Sequence, residues 1–291
     1  MKIESREVGL VLLQQLFGLD ELHYGLWDDG LAPTLGNLPL AQRRYTELLL
    51  EAVRELAPRP LRVLDVGCGA GTLLVELRAL GHDAEGVSPA PELTRLARER
   101  LARAGRGEVR LFECRFEDFP SAERARHYDL LVFSESFQYV ALPAALRRVE
   151  EILRPGGHLL ICDFFRSGAH GDGGPADGTL SGGHPIAAFY EAMAQSRFTL
   201  LRDQDITARV APTLAIADQV LMRHLRPASE TLARHLAERR PWLFRALRLV
   251  GKRKLDKLRR KYFSGYRTPE TFARYKTYRL ITARQPESRE M

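Results

Sequence analysis

Residues 63–71 read VLDVGCGAG, a short apolar run that leads into three glycines, and a helical pattern follows directly. The apolar run is typical of a strand that is buried on both faces of a sheet. Glycines let the chain turn sharply and let a ligand approach the backbone closely, because they carry no Cβ. In open α/β sheets, ligands bind beyond the carboxyl ends of the strands. The stretch therefore predicts a strand, a ligand-binding turn and a helix in succession.

Asp65 indicates which kind of ligand the glycine turn binds. It stands on the predicted strand, two residues before Gly67. A carboxylate at this place would repel a phosphate group and would attract a cofactor that carries an ammonium or sulfonium group. In the alternative interpretation, Asp65 only caps the loop or the helix and the glycines only make a turn. The alternation of strands and helices around the stretch favours the ligand-binding interpretation.

Strand and helix patterns alternate along the middle of the chain. The predicted strands are residues 61–67, 82–88, 109–114, 128–135, 154–165, 198–207 and 275–283, and the helices among the first six are residues 71–81, 91–105, 142–153 and 186–196. This alternation predicts an α/β fold with a doubly wound, mostly parallel sheet of seven strands.

The chain divides into four predicted parts. Residues 1–58 form an N-terminal helical lid, residues 59–207 contain the alternating core, residues 208–275 form a helical insertion, and residues 276–291 hold the last strand and a tail. The insertion is far too long for a simple connection between two strands. A stretch rich in Gly, Asp and Ser within the core, residues 166–185, predicts a loop.

The net charge of +7 conceals an uneven distribution. Residues 1–220 carry 24 basic and 31 acidic side chains, a balance of −7, whereas residues 221–291 carry 20 basic and 6 acidic, a balance of +14. Within the basic part, residues 251–263 read GKRKLDKLRRKYF and predict an amphipathic basic helix. Such asymmetry indicates either a polyanionic partner or surface, or two parts that neutralise each other.

Composition excludes several classes of protein. Three cysteines in 291 residues exclude a disulfide scaffold and fit a reducing compartment. The cysteines Cys68, Cys114 and Cys162 lack zinc-finger spacing, so no metal site is predicted. No apolar run approaches the roughly 18–20 residues that span a bilayer. We therefore expect a cytoplasmic protein, which is peripheral at a membrane if the basic helix binds one.

At this level of detail, the chain resembles the class I S-adenosylmethionine-dependent methyltransferases of the small-molecule type. The motifs that carry the resemblance stand in family order: VLDVGCGAG (63–71), AEGVSPAPELTRLARERL (84–101), FEDFP (116–120), YDLLVFSESFQYV (128–140) and LRPGGHLLICDFF (153–165). Near the N-terminus, LHYGLWDDG (22–30) and AQRRYTELLL (41–50) are similar to the tocopherol and cyclopropane-fatty-acid subgroup. The resemblance implies a Rossmann-like sheet and S-adenosyl-L-methionine as the cofactor.

The resemblance also implies a set of cofactor-binding residues. Asp65, Gly67 and Gly69 would line the methionine half of the cofactor, and Cys68 and Gly71 of the same loop would also bind the cofactor. Residues on other segments would complete the site: Tyr24 and Gln42 at the carboxylate end, Ser134 and Glu135 facing the reacting methyl, and Ser88, Phe116 and Glu117 around the ribose and adenine.

Two of these positions depart from the family pattern. Ser88 stands where the family usually has an Asp or Glu on the ribose hydroxyls, and a serine bonds them without charge-assisted strength. Arg115 and Phe116 stand where the adenine loop usually reads Asp-Ala. Phe116 would then cover the adenine, and Glu117 or Asp118 would accept a hydrogen bond from its amine.

Methyl transfer needs aligned reactants, and a general base helps when the acceptor is a hydroxyl, an amine or an acidic carbon. The candidate catalytic residues are Glu135, His23, His184 and Tyr139, with His170 as a further candidate base. Each also has a structural interpretation: Glu135 only binds the cofactor, His23 holds the lid, the loop histidines are exposed, and Tyr139 belongs to the core.

The insertion and the basic helix indicate how an acceptor is reached. In the family, extra helices at this place form a lid over the acceptor, and WLFRALRLV (242–250) supplies apolar surface for it. We expect a small, largely apolar acceptor of the quinone, polyketide, prenyl or acyl type. Residues 252–261 would bind an acidic carrier protein or an anionic membrane, or would only pack on the acidic part of the chain. The alternatives are an RNA or protein methyltransferase and a non-catalytic cofactor-binding module, but no nucleic-acid-binding module accompanies the basic run.

Overall fold

The computed structural model describes residues 21, 23–28, 30–56, 59–174, 176–242 and 264–287. The strands are β1 Arg62–Val66, β2 Asp83–Val87, β3 Leu111–Phe112, β4 Tyr128–Ser134, β5 Leu153–Arg166, β6 Thr199–Asp205 and β7 Lys276–Arg284. The α-helices are α1 Leu38–Leu56, α2 Thr72–Ala79, α3 Pro91–Arg103, α4 Leu142–Ile152, α5 Ile186–Gln195, α6 Thr207–Val210, α7 Pro212–Gln219, α8 Arg226–Arg239 and α9 Pro269–Tyr275. Short 3₁₀ turns cover Leu35–Asn37, Phe116–Asp118 and Phe137–Tyr139, and Val220–Leu225 is a π-helix.

The seven strands form one sheet in the order β3-β2-β1-β4-β5-β7-β6. The first five strands in this order, from β3 through β2, β1 and β4 to β5, are parallel to one another. β7 runs antiparallel to its two neighbours, β5 and β6. The predicted α/β class and the mostly parallel seven-stranded sheet are confirmed. The strand order reverses beside β1, and a crevice for a ligand forms at such a switch point.

Both faces of the sheet are covered, as the apolar strands predicted. Along β4, Leu130 and Val132 join the core cluster beneath α1 and α2, whereas Leu131 and Phe133 join the cluster beneath α4 and α5. Successive side chains of a strand point to opposite faces, so a strand buried on both sides is apolar throughout. β3 lies at the edge of the sheet, where it pairs with β2 among the described residues, and it is two residues long, where the sequence predicted residues 109–114.

The described residues of the N-terminal part are less helical than predicted. Among them, residues 23–28 and 30–34 are irregular, and the first helical element begins at Leu35. Gly25, Gly30 and Pro33 disfavour a helix here. The backbone of this segment bonds instead to neighbouring elements: the N–H of Leu26 donates to the carbonyl of Ala41 at 2.8 Å. Residues 1–20 of the predicted lid lie outside the described residues.

The described residues of the insertion between β6 and β7 are mostly helical, and residues 264–268 are irregular. α6, α7, the π-helix and α8 follow one another, and α9 precedes β7. The predicted basic helix at residues 252–261 and nearly all of the apolar stretch 242–250 lie outside the described residues. No helix in the described part of the chain has the length and apolar character that crossing a bilayer requires.

Candidate active site

The glycine turn after β1 has the geometry that a close ligand approach requires. Gly67 has a φ of +81° and donates its N–H to the carbonyl of Val87 at 2.8 Å. A Cβ on Gly67 would collide with the side chain of Ser136, and one on Gly71 would come within 2.8 Å of the Ala97 Cβ. Both positions therefore require glycine for their left-handed φ and for space.

Asp65 lies on β1 immediately before this turn, as predicted. It is buried, with a relative exposure of 2%. Burial, followed by the nearby charge of Glu21, raises the pKa of its carboxyl to about 7. A buried carboxyl at the end of a strand, beside a glycine cradle, fits a cationic group, because the ligand's charge would favour the ionised form. The ammonium of a bound S-adenosylmethionine supplies such a group.

Glu21 is a functional candidate that the sequence interpretation missed. Its charge acts on Asp65, and its carboxylate lies 3.1 Å from His23 Nε2. Glu21 is thus near enough to Asp65 for its charge to raise the pKa of that carboxyl. No motif marks Glu21, since only the path of the N-terminal segment brings it to β1.

The N-terminal segment is held over the site by several hydrogen bonds. Gln42 of α1 is buried, and its side-chain nitrogen donates to the carbonyls of Glu21 at 3.2 Å and His23 at 2.7 Å. The N–H of Tyr24 donates to Glu135 Oε1 at 2.7 Å. Gln42 therefore positions the segment through its nitrogen, and its direct contact with the cofactor stays a prediction.

His23 uses both ring nitrogens within the segment. Nδ1 lies 2.8 Å from the Tyr24 carbonyl, Nε2 lies 3.1 Å from Glu21 and 3.2 Å from the Thr46 hydroxyl, and the ring stacks on Tyr45. Burial lowers the pKa of His23, but Glu21 and Glu135 outweigh it and the net direction is upward. A histidine ring with both nitrogens engaged is suited to holding the N-terminal segment and poorly suited to acting as a base.

Glu135 follows β4 and is the best-placed candidate base. Its φ is +54°, a strained conformation for a non-glycine residue, and such strain is concentrated at functional sites. Its Oε1 accepts hydrogen bonds of 2.7 Å from the Tyr24 N–H and from the Tyr278 hydroxyl. Burial raises the pKa of this carboxyl, and His23 and the two donors only partly offset it. The neighbouring Ser134 hydroxyl lies 3.3 Å from the Tyr45 hydroxyl.

The remaining candidate catalytic residues are Tyr139, His184 and His170. Tyr139 is 53% exposed. His184 is half-buried, and its Nε2 lies 3.1 Å from the Phe137 carbonyl, so it fastens the loop of residues 166–185 to the turn after β4. His170 Nδ1 lies 3.5 Å from Asp177. His184 thus has a structural bond, and a catalytic role for it or for Tyr139 stays a prediction.

The residues predicted around the ribose and adenine follow β2 and β3. Ser88 is buried, and its hydroxyl accepts from the Ala90 N–H at 3.3 Å. Phe116 is buried in the core, with its ring edge-on to Phe133 at 5.4 Å. Glu117 is exposed. Cys68 is a buried free thiol whose pKa burial raises, so it packs rather than reacts. Cofactor contacts of these residues stay predictions.

Tyr45 and Tyr278 are further residues that the sequence did not indicate. Tyr278 lies on β7, 143 residues from Glu135. The antiparallel pairing of β5 with β7 places Tyr278 opposite Phe164, next to the end of β4. Only knowledge of that pairing could have brought Tyr278 to the site.

The chain belongs to the methyltransferase domain family, whose sequence model matches residues 40–238. This membership confirms the class of protein and the S-adenosylmethionine cofactor that the motifs implied.

Individual proteins are similar over shorter stretches. The ubiquinone biosynthesis O-methyltransferase of Xanthomonas axonopodis pv. citri is 33% identical over 145 residues, 49% of this chain and 57% of that protein. Methyltransferase GfsG of Streptomyces halstedii is 31% identical over 185 residues, 58% of this chain and 61% of that protein. The chain thus spans about three fifths of the length of these two relatives.

A solved structure is similar over nearly the whole chain. Geranyl diphosphate methyltransferase in complex with geranyl diphosphate and sinefungin has a TM-score of 0.67 at 18% identity, covering 95% of this chain and 92% of that one. At 18% sequence identity, this similarity shows that the two proteins share a fold.

Proposed function

We propose that this protein transfers a methyl group from S-adenosylmethionine to a small, largely apolar metabolite of the quinone, polyketide, prenyl or acyl type. The observation that carries the proposal is the buried carboxyl of Asp65 beside the glycine turn, in a chain of the methyltransferase domain family. When bound, S-adenosylmethionine supplies an activated methyl group on a sulfonium.

Different residues of the chain bind the cofactor and remove the proton from the acceptor. Asp65, together with Glu21, holds the cationic end of the cofactor, and the turn at Gly67 and Gly69 lets the backbone approach it. His23 and Tyr24 hold the N-terminal segment in place, and this segment excludes water from the site. Glu135 takes a proton from the acceptor as its nucleophilic atom reacts.

The apolar acceptor is supported by the aromatic side chains near Glu135. Tyr24 packs against Phe164, Phe272 and Tyr278, with ring centroids 5.6–6.3 Å apart. An aromatic wall with a few convergent polar groups is typical of small-molecule sites. The names of the relatives agree with this class, since one acts in ubiquinone biosynthesis and another binds geranyl diphosphate.

Presentation of the acceptor by an acidic carrier protein or an anionic membrane is the finer part of the proposal. It is supported by the balance of +14 over residues 221–291 and by the exposed Trp242, which is 67% accessible. A peripheral position at a membrane follows only if residues 252–261 bind lipid.

Incubation of the protein with methyl-labelled S-adenosylmethionine and cell extract tests the proposal. We expect label in the organic-extractable fraction. Label in RNA or protein would instead favour recruitment of a macromolecular substrate by the basic part. Cofactor retained without any labelled product would favour a non-catalytic cofactor-binding module. Reactions without extract and with the Asp65→Asn variant serve as controls.

A further inference from the structure

We propose that a cavity at the end of the sheet where the parallel strands begin binds a small anion that carries phosphate. The cavity has a volume of about 360 Å³, and its lining includes Arg59, Asp129, Arg154, His158 and Arg284. This volume is near the lower limit of the usual range for ligand pockets, so it suits a small ligand. The proposal does not depend on methyl transfer.

The cavity lies at the opposite end of the sheet from the candidate active site. Asp129 is the second residue of β4, and Glu135 directly follows the same strand. The two residues are six positions apart, which corresponds to roughly 20 Å along an extended chain. Arg154 is the second residue of β5, and Arg284 is the last residue of β7, which runs antiparallel to β5. A ligand in this cavity is therefore separate from the bound cofactor.

The charges around the cavity do not balance. Asp129 is buried, and its Oδ1 accepts a hydrogen bond from Arg59 at 2.7 Å and also contacts the Arg154 guanidinium. One carboxylate thus serves two cations. Arg284 forms an ion pair with Glu287. Among the described residues of the lining, three arginines therefore meet two carboxylates, which leaves an excess of positive charge.

Two groups in the cavity respond to this positive charge. Burial lowers the pKa of the half-buried His158, and the neighbouring Arg284 lowers it further. Burial also lowers the pKa of the Arg154 guanidinium, and Arg59 and Arg62 add to this effect. The neighbouring charges that lower both pKa values are all cations. An anion in the cavity would offset their repulsion.

The guanidinium groups indicate that the anion carries phosphate. The side chains of Arg59, Arg154 and Arg284 are each more than one third exposed, so a ligand can reach them from solvent. A guanidinium presents a planar fork of N–H donors that matches two oxygens of a phosphate. The ion pairs with Asp129 and Glu287 hold these forks in place before a ligand arrives, which lowers the cost of ordering them.

A proton NMR titration of the His158 ring in the whole protein tests the proposal, with the resonance assigned from the His158→Gln variant. A bound anion stabilises the imidazolium, so roughly 10 mM pyrophosphate should raise the His158 pKa by about half a unit or more. Sodium chloride at the same ionic strength corrects for screening. The ring locates the binding, which calorimetry does not, because residues 252–261 are also basic.

Two cavity variants and one matched control separate this site from general attraction to a basic protein. Arg154→Gln and Arg284→Gln should each weaken pyrophosphate binding about 10-fold, the loss of a charge-assisted contact. Both variants leave Asp129 paired with Arg59. Arg95→Gln changes the net charge equally, and Arg95 is likewise an exposed arginine that pairs with carboxylates, in its case within α3. It should bind pyrophosphate like the wild type.

The dependence of the His158 pKa on ligand concentration gives the affinity of each protein. Thermal unfolding without ligand establishes that each variant is folded. Inorganic phosphate and adenosine diphosphate are titrated in the same way, and the tightest of the three ligands shows whether free phosphate, pyrophosphate or a nucleotide is preferred. If none of them changes the His158 pKa more than sodium chloride does, or if all four proteins respond equally, the proposed site is wrong.

Discussion

The backbone N–H of Tyr24 donates a 2.7 Å hydrogen bond to Glu135 Oε1, across 111 positions of the sequence. The N-terminal segment and the candidate base are therefore joined at one oxygen. That oxygen also accepts from Tyr278, so the positions of the N-terminal segment, of Glu135 and of the Tyr278 hydroxyl depend on the same carboxyl.

Replacement of Glu135 by Gln separates its role in holding the N-terminal segment from its role as a base. The amide oxygen still accepts from Tyr24 and Tyr278, so the lid should stay in place, but the side chain no longer takes up a proton. We expect turnover to fall about 100-fold, which is typical of losing a general base, with cofactor affinity changed less than threefold. Label transfer into the organic-extractable pool measures turnover, and calorimetry measures cofactor affinity. Unchanged turnover in Glu135→Gln would remove Glu135 from the chemistry.

Cofactor binding should depend on pH through Asp65. The pKa of its buried carboxyl is about 7 without ligand, and a cationic ligand binds the ionised form. Affinity for S-adenosylmethionine should therefore rise roughly 10-fold between pH 6 and pH 8, as the ionised fraction grows. Binding near pH 6.5 should release protons, which calorimetry in buffers of different ionisation enthalpy detects. Flat affinity without proton release would mean that Asp65 does not meet the cation.

Gly67 should tolerate alanine much less than a glycine with similar backbone strain. Gly81 has a φ of +84°, close to that of Gly67, but a Cβ there would meet nothing within 4 Å. Gly81→Ala should thus cost only about 1 kcal/mol of unfolding free energy, the penalty of a left-handed φ. Gly67→Ala adds the collision with Ser136 and should cost more and abolish cofactor binding. Thermal unfolding and calorimetry of the two variants compare them, and equal losses would refute the crowding at Gly67.

Charge reversal in the basic segment tests presentation of the acceptor. Lys252→Glu, Lys254→Glu and Lys261→Glu together should lower activity more at 10 mM than at 500 mM salt, because salt screens exposed charges. The control reverses three exposed arginines on and after α3: Arg98, Arg103 and Arg106. Equal losses at both salt concentrations would exclude electrostatic docking by this segment.

Most of the fold could be predicted because strands buried on both faces and amphipathic helices leave a periodic pattern in the sequence. β1, β4 and α4 begin and end within a residue or so of their predicted positions. The periodic pattern gave wrong predictions where contacts with neighbouring elements outweigh the local sequence preference. β3 shortens at the sheet edge, and the backbone N–H groups of residues 24–27 bond to other elements instead of forming a helix.

The candidate site was only partly predictable for a different reason. Asp65 and the glycines are adjacent in sequence, so one motif reveals them together. Glu21, Tyr45 and Tyr278 reach the site from the N-terminal segment, α1 and β7, and their meeting depends on the order of strands and on side-chain packing. His184 Nε2 contacts the Phe137 carbonyl, a bond that no motif indicates, and the role of His184 as a base stays a prediction.

The most direct test is calorimetric titration of S-adenosylmethionine at pH 8 into three proteins: the wild type, Asp65→Asn and Asp129→Asn. Asp129 is also a buried carboxylate, but it lies at the opposite end of the sheet, where it accepts from Arg59 and from the Arg62 N–H. We predict binding to the wild type and to Asp129→Asn, and affinity at least roughly 10-fold weaker in Asp65→Asn, the loss of a charge-assisted contact. No binding to the wild type, or equal affinity in Asp65→Asn, would contradict the assignment of this site.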